Sequence, residues 1–201
     1  MQREFHNIGQ NNDDWLDMRL GRFTASTFKD LFMGPKTATH EKAIYKPVFE
    51  RLTGGSPESF SSAYMERGHA LEPFAVESYE METFRETSNG GFWTYGDWIG
   101  ASPDRMVGSD GILEAKCPAF NTIMNYLLKE ELPPVYKWQV HGQMHVTDRD
   151  WCDFISYHPQ FKLLIVRVHR DEKIEAELIK KLSESIEKAE SIFNQLKRAA
   201  A

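Results

Sequence analysis

The sequence predicts an α/β (α+β) fold in which helices flank a central mixed β-sheet. Helical spacing of apolar residues dominates the chain up to residue 84, and short runs of strand type, punctuated by Gly and Asp-Gly, follow it. A hairpin and a long single-faced amphipathic helix come last. Helices that alternate with groups of strands in this order are typical of a mixed sheet covered by helices.

The composition indicates one domain over residues 1–201. The chain has 201 residues, of which 41% are hydrophobic and 12% aromatic, which is enough for a substantial core. No apolar run approaches the roughly 20 residues of a membrane span, and the N-terminus lacks the apolar stretch of a signal peptide. The two cysteines are too few for a disulfide scaffold and indicate a reducing compartment. We therefore expect a cytoplasmic protein with no membrane partner.

Four helices are expected in the N-terminal part, from apolar residues at helical spacing between caps and stop signals. They run from Asp13 to Gly21, from Thr24 or Ser26 to Gly34, over residues 41–52 and over residues 62–84. Pro47 predicts a kink or a later start in the third helix, and Pro73 predicts a break or a kink in the fourth.

The second half of the chain changes to strand-like spacing. A turn at 88–91 precedes candidate strands at 92–95, 98–101, 105–107 and 112–116. Two helices, 121–130 and 135–147, then lead to a hairpin of strands 151–157 and 163–169 and to a final helix at 172–197.

Charge alone argues against a general nucleic-acid binder, since the formal net charge is −6. The distribution is uneven. From Arg19 to Arg51 there are seven basic and three acidic residues, which makes this segment +4 and the rest of the chain −10. A solvated helical surface explains such a segment as well as a nucleic-acid interface does.

Three residues between 104 and 116 suggest hydrolytic chemistry. Glu114 and Lys116 are two apart on a predicted strand, so their side chains share one face. Asp104 lies ten residues before Glu114 across a predicted hairpin. Two carboxylates can hold a hard cation that generates a hydroxide nucleophile. A lysine beside them can orient or deprotonate the attacking water or stabilise the developing charge.

Simpler interpretations compete with this one. A Glu–Lys pair on an exposed face is common and contributes about 0–1 kcal/mol, although the apolar neighbours Leu113 and Ala115 favour a buried strand. Glu72 lies among apolar residues of a predicted helix, where an inward-facing carboxylate requires a cation or a hydrogen-bond donor; a partly exposed surface glutamate explains the same pattern equally well. His141 and His145 have the i, i+4 spacing of zinc ligands, but neither the metalloprotease glutamate nor a third ligand accompanies them.

With these residues in view, the chain resembles the lambda exonuclease family, the YqaJ-type viral recombinases, within the PD-(D/E)XK nuclease superfamily. Together the motifs cover about residues 13–160, and they are specific as a set. The likeness is carried by the stretches Trp15–Ser26, Gly68–Ala75, Ala101–Arg105 and Leu113–Pro118, and by Tyr136–Gln143, which is similar to the glutamine-bearing helix of the family.

The resemblance implies a restriction-endonuclease-like core and a role for each site residue. Mg²⁺, for which Mn²⁺ would substitute, would be held by Asp104, Glu114 and the backbone carbonyl of Ala115, with Glu72 completing the shell. Lys116 would position the water, and Gln139 would support the site. A terminal 5′ phosphate would be bound by Arg19, Ser26 and Ser102. The family helix often reads Gln-x-Gln, so which of Gln139, His141 and Gln143 faces the site stays open.

The function implied by the resemblance is a Mg²⁺-dependent 5′→3′ exonuclease that degrades linear double-stranded DNA. It would leave 3′ single strands for recombination with a single-strand annealing protein, and would form a homo-oligomer, a trimeric ring. Such a protein would belong to a phage or prophage and act in the cytoplasm of a bacterial host. The alternatives are a restriction-like endonuclease, which needs no terminal-phosphate clamp, and a non-catalytic DNA-binding module.

Overall fold

The computed structural model describes residues 1–57 and 63–199. The helices are α1 Asp13–Arg19, α2 Phe28–Leu31, α3 Ala38–Thr53, α4 Ala63–Thr83, α5 Phe120–Lys129, α6 Lys137–Thr147 and α7 Glu172–Ala199. The strands are β1 Arg3–His6, β2 Phe23–Thr24, β3 Thr87–Asn89, β4 Phe92–Tyr95, β5 Ile99–Ala101, β6 Arg105–Val107, β7 Gly111–Lys116, β8 Trp151–Ser156 and β9 Leu164–His169. Short 3₁₀ turns cover Ala25–Thr27 and Pro134–Tyr136.

The α/β class is confirmed, but the strands of the described residues form two mixed sheets where a single central one was expected. One has the order β1-β4-β5-β2 and the other β3-β6-β7-β8-β9. Between β5 and β6 the chain passes from one sheet to the other through Ser102-Pro103-Asp104. Pro103 lacks the N–H that a continuing strand would donate, which explains a break at this point.

Most predicted elements are found, with shifted boundaries. α3 begins at Ala38, earlier than expected, because the side chain of Thr37 accepts a hydrogen bond from the N–H of His40 at 3.3 Å. Pro47 and Pro73 lie inside continuous helices, so the expected later start and break are wrong. Residue 62, the predicted start of α4, lies outside the described residues.

The segment after Thr24 differs more from its prediction. It is a 3₁₀ turn followed by the four-residue α2, and the side chain of Thr24 makes no capping hydrogen bond. Part of the predicted turn at 88–91 is strand β3, which pairs with β6. β1 and β2 were not predicted, because runs of four and two residues carry too little periodicity.

The five-stranded sheet has α4 on one face and α6 on the other. Alternate residues of β7 point to opposite faces. Leu113 packs in the cluster that contains Tyr79 of α4, whereas Ile112 packs in the cluster that contains Val140 of α6. Glu114 has the parity of Ile112, and this alternation directs its carboxylate towards α6.

None of the helices in the described stretches 1–57 and 63–199 combines the length and the apolar character that crossing a bilayer requires.

Candidate active site

The carboxylate of Glu114 is the most enclosed group of the site. Its residue is 1% exposed. Oε1 accepts a hydrogen bond from Gln139 Nε2 at 2.5 Å and another from Lys116 Nζ, and Oε2 accepts one from Gln143 Nε2 at 2.6 Å. Gln139 and Gln143 are four residues apart on α6, so they lie on the same side of the helix. Both oxygens of the buried carboxylate are thus held by charged or N–H donors.

This arrangement resolves which residues of α6 face the site. Gln139 and Gln143 both do, whereas His141, two residues from each, lies on another side of the helix. Burial lowers the pKa of the His141 imidazole, with Asp171 opposing that effect. His145 bonds through Nδ1 to Glu175 Oε1 at 2.7 Å, and no zinc-type group of three His, Cys, Asp or Glu occurs among the described residues.

Asp104 immediately precedes β6 and is already hydrogen-bonded to β7. Its N–H donates to the carbonyl of Leu113 at 3.1 Å, and its Oδ2 accepts from the N–H of Ala115 at 2.7 Å. Strand carbonyls and amides two residues apart point to the same side. The carbonyl of Ala115 therefore points to the side on which the Asp104 carboxylate lies.

Lys116 is a half-buried cation between carboxylates. Burial alone would lower the pKa of its ammonium, but the carboxylates of Glu114 and Asp104 outweigh that effect, and its pKa lies above the ordinary value. The side chain therefore stays charged at neutral pH. In this state it can orient a water molecule or stabilise a developing negative charge.

Glu72 reaches the site from α4. Its Oε1 lies 3.7 Å from Nη1 of Arg105, and its side chain is 24% exposed. Burial raises the pKa of Glu72, and the carboxylate of Glu114 raises it further, against the opposing effect of Arg105. The pKa of Asp104 is raised well above its usual range, first by burial and then by Glu114. The three carboxylates thus repel one another.

The donor set fits a hard divalent cation in its chemistry. Carboxylate and backbone carbonyl oxygens are the ligands that Mg²⁺ prefers, and a cation would offset the repulsion that raises the pKa of Asp104. Among the described residues, no three His, Cys, Asp or Glu side chains are arranged closely enough to coordinate one metal ion. The oxygens of Glu114 are engaged by Lys116 and the α6 amides, and Glu72 is paired with Arg105.

The predicted phosphate-binding residues form a second group. The guanidinium of Arg19 lies over the ring of Trp15 at 4.2 Å and donates to Thr24 Oγ1 at 3.3 Å. Ser26 Oγ is 3.4 Å from the same hydroxyl. Ser102 Oγ accepts from Trp15 Nε1 at 2.9 Å and donates to the backbone carbonyl of Gly91, between β3 and β4. Burial lowers the pKa of Arg19, and Glu50 partly offsets this effect.

Both groups line one cavity of about 470 Å³. All the predicted site residues border it: Arg19, Ser26, Glu72, Ser102, Asp104, Glu114, Ala115, Lys116 and Gln139. Trp15, His69 and Tyr136 also border it and were not predicted. Each stands within a recognised motif, but nothing in its residue type set it apart from core aromatics or surface polar residues.

Comparison with solved structures finds exonucleases of similar fold. A crystal structure of an alkaline exonuclease (LHK-Exo) from Laribacter hongkongensis has a TM-score of 0.87 and 32% identity, covering 94% of this chain and 98% of that one. LHK-Exo in complex with dAMP gives a TM-score of 0.88 and 33% identity over the same shares. A phage related exonuclease from Haemophilus somnus 129PT shares the fold at 19% identity and a TM-score of 0.66, covering 90% of this chain and 96% of that one.

Comparison with curated protein sequences finds no match. The family model described as the YqaJ-like viral recombinase domain matches residues 14–150, more than half of the chain and all of the cavity's predicted residues. This chain therefore belongs to the family of YqaJ-like viral recombinase domains.

Proposed function

We propose that the protein is a Mg²⁺-dependent exonuclease that degrades linear double-stranded DNA in the 5′→3′ direction and leaves 3′ single strands for strand annealing. One observation carries the proposal. A set of residues suited to phosphodiester hydrolysis and a set suited to a terminal phosphate border the same 470 Å³ cavity. The exonucleases named among the similar structures support the same class of reaction.

In this proposal Asp104, Glu114 and the carbonyl of Ala115 hold the metal ion, and Glu72 completes its shell; Mn²⁺ would serve in its place. Bound Mg²⁺ supplies a hydroxide nucleophile at neutral pH and offsets charge on the phosphate. The ammonium of Lys116, on the same strand face as Glu114, orients the attacking water and stabilises the negative charge that develops. Gln139 fixes the plane of the Glu114 carboxylate by donating to Oε1.

End recognition distinguishes this proposal from the endonuclease alternative. Arg19 and the hydroxyls of Ser26 and Ser102 would bind the terminal 5′ phosphate. The guanidinium offers several N–H donors, and the Ser102 hydroxyl would turn its proton from the carbonyl of Gly91 to the phosphate. An enzyme that cuts within a duplex needs no such group. Binding the 5′ phosphate beside the hydrolytic residues would set the polarity of degradation.

The proposal includes a homo-oligomer, a trimeric ring as the resemblance implies, and a single-strand annealing partner. An apolar stripe on α5 supports self-association, because Phe120, Met124 and Leu128 are spaced by four residues and are 66%, 48% and 83% exposed. The proposal also includes a phage or prophage protein that acts in the cytoplasm of a bacterial host; the family description, a viral recombinase domain, supports the viral origin. Light scattering coupled to size exclusion would measure the mass of the assembly.

The decisive experiment digests linear duplexes that carry either a 5′ phosphate or a 5′ hydroxyl. We expect wild type with Mg²⁺ to release nucleotides faster from the phosphorylated end and EDTA to stop the reaction. Arg19→Ala should lose the preference for phosphate, and Glu114→Ala should lose activity on both substrates. Cleavage of a closed circular duplex would favour the endonuclease, and equal behaviour of wild type and Glu114→Ala would refute a nuclease role for this site.

A further inference from the structure

We infer that Gln143 is a positioning residue that couples the phosphate-binding group to the hydrolytic group. This inference rests on the proposed function. It concerns a residue to which the resemblance assigned no role. The N–H groups of the Gln143 amide are hydrogen-bonded, whereas its oxygen is not.

The amide of Gln143 is buried and serves only as a donor. The residue is 1% exposed. Nε2 donates to Glu114 Oε2 at 2.6 Å and to the backbone carbonyl of Ser102 at 3.4 Å, whereas no donor in the described part of the chain reaches its buried Oε1. A buried acceptor without a hydrogen bond lowers the stability of the fold, and an apolar side chain of similar size would avoid that loss. The amide is therefore explained by its two acceptors.

Those two acceptors belong to different halves of the cavity. Glu114 is in the hydrolytic group, and Ser102 is in the phosphate-binding group. Ser102 Oγ accepts from Trp15 Nε1, and the Trp15 ring carries the guanidinium of Arg19. A continuous series of contacts thus runs from Arg19 through Trp15, Ser102 and Gln143 to Glu114.

The Ser102–Asp104 segment depends on such tethers because it lies between the two sheets. The carbonyl of Ser102 is held by Gln143, that of Pro103 by Gln10 Nε2 at 3.0 Å, and the N–H of Asp104 by the carbonyl of Leu113. Losing the first tether would free the peptide that carries the Ser102 hydroxyl. Displacement of about 1 Å in a positioning group is enough to change rates by about 10²-fold.

Gln139 provides a matched control on the same helix. It is the same residue type and donates to the other oxygen of the same carboxylate, at 2.5 Å, and the only acceptor described for it is Glu114. Both glutamines should support turnover through Glu114. Only Gln143 should also affect how well the enzyme distinguishes a 5′ phosphate from a 5′ hydroxyl.

The test compares Gln143→Met and Gln139→Met, with Gln143→Asn as a second variant that keeps a polar side chain but is one methylene too short. For each protein, kcat and KM are measured on linear duplexes with 5′-phosphate and 5′-hydroxyl ends, and folding is checked by circular dichroism. We expect both Gln143 variants to lose kcat and to reduce the preference for phosphate in kcat/KM by about fivefold or more, a typical coupling between sites. Gln139→Met should lose kcat with the preference intact.

A purely structural role for Gln143 would lower activity on both ends equally, and that result would overturn the inference while leaving the exonuclease proposal standing. Equal loss of preference in the Gln139 and Gln143 variants would also overturn it, because the effect would then come from Glu114 alone. A wild type that degrades both ends equally would instead refute the proposed phosphate clamp, and a wild type inactive on duplex would refute the nuclease.

Discussion

At the scale of single residues, the charged groups of the site lie where burial and mutual repulsion reduce the stability of the fold. Asp104 is buried, and its pKa is raised by burial and by the nearby Glu114 carboxylate. Lys116 offsets only part of this repulsion. Groups that a protein retains at a cost to stability are typical of functional sites. The arrangement therefore predicts opposite effects of substitution on stability and on activity.

Asp104→Asn should abolish nuclease activity and raise the free energy of unfolding of the metal-free protein by about 1 kcal/mol, in the range of other substitutions that relieve functional strain. The amide oxygen of Asn can still accept from the N–H of Ala115, while the repulsion from Glu114 disappears. Urea unfolding in EDTA measures the difference. Glu77→Gln, on an exposed position of α4, is the control that should change neither property. A metal-free Asp104→Asn protein less stable than wild type would contradict the argument.

At the scale of elements, α6 connects the site to the rest of the molecule. Its glutamines hold Glu114, and the neighbouring side of the helix, at Gly142, packs against Phe28 at the start of α2. Gly142 makes this approach possible, since a Cβ at this position would lie 2.4 Å from Cδ2 of Phe28. Phe28 is fully buried, so it has little room to move.

Gly142→Ala should therefore destabilise the protein by about 1–3 kcal/mol, the usual cost of an overpacked core. Gly68→Ala is the matched control, because Gly68 lies in α4 and a Cβ there would meet no atom within 4 Å. Alanine is the better helix former by about 1 kcal/mol, so this variant should be as stable as wild type or more so. Thermal unfolding of both proteins checks the pair, and equal losses would show that packing against Phe28 is not the cause.

The C-terminal end of α6 is fixed by Glu175, at the start of α7. Its carboxylate accepts from Arg170 and is paired with Nδ1 of His145 at 2.7 Å. Hydrogen bonding from Arg170, with a further contribution from His145 and against the opposing effect of burial, lowers the pKa of Glu175 from 4.5 to about 2. A carboxylate with a lowered pKa stabilises the fold above its unfolded pKa and loses that contribution as pH falls through the folded value.

Glu175→Gln should consequently be less stable than wild type by about 1.5–3 kcal/mol at neutral pH, the range for hydrogen bonds to charged groups. The difference should be constant above about pH 4.5 and shrink between there and pH 2. Denaturant unfolding at a series of pH values measures it. Glu187→Gln, at an exposed position further along α7, serves as the control. A difference that grows on acidification would have the wrong sign for this explanation.

At the scale of the whole molecule, the sequence anticipated which residues meet better than it anticipated how the strands are divided. Period two along β7 was sufficient to place Glu114 and Lys116 on one face, and the motifs selected the residues that border the cavity. The split into two sheets depends on β1 and β2, whose partners are distant in sequence. Whether Gln143 points towards Glu114 depends on the rotation of α6 about its axis relative to β7, and the periodicity of one helix cannot determine that rotation.

The proposed metal site joins elements that the chain brings together only on folding: α4, the segment before β6, and β7. A ligand that binds only the folded state stabilises it by RT ln(1 + [L]/Kd), about 2.7 kcal/mol at a concentration of 100 Kd. For a chain of this size, each kcal/mol shifts Tm by about 2–4 °C. Saturating Mg²⁺ should therefore raise Tm by about 5–10 °C. Glu114→Gln should lose most of that shift, because it removes one of the charged ligands.

General screening of the surface must be separated from binding at the site, since Mg²⁺ also raises ionic strength. NaCl matched in ionic strength should reproduce only the part of the shift that remains in Glu114→Gln. The effect should saturate with Mg²⁺ concentration in wild type, and Mn²⁺ should produce it as well. If wild type and Glu114→Gln gain equally from Mg²⁺, the carboxylates around Glu114 do not hold the metal. The repulsion between the carboxylates would then be offset by protein cations alone, such as Lys116, which is paired with Glu114, and Arg105, which is paired with Glu72.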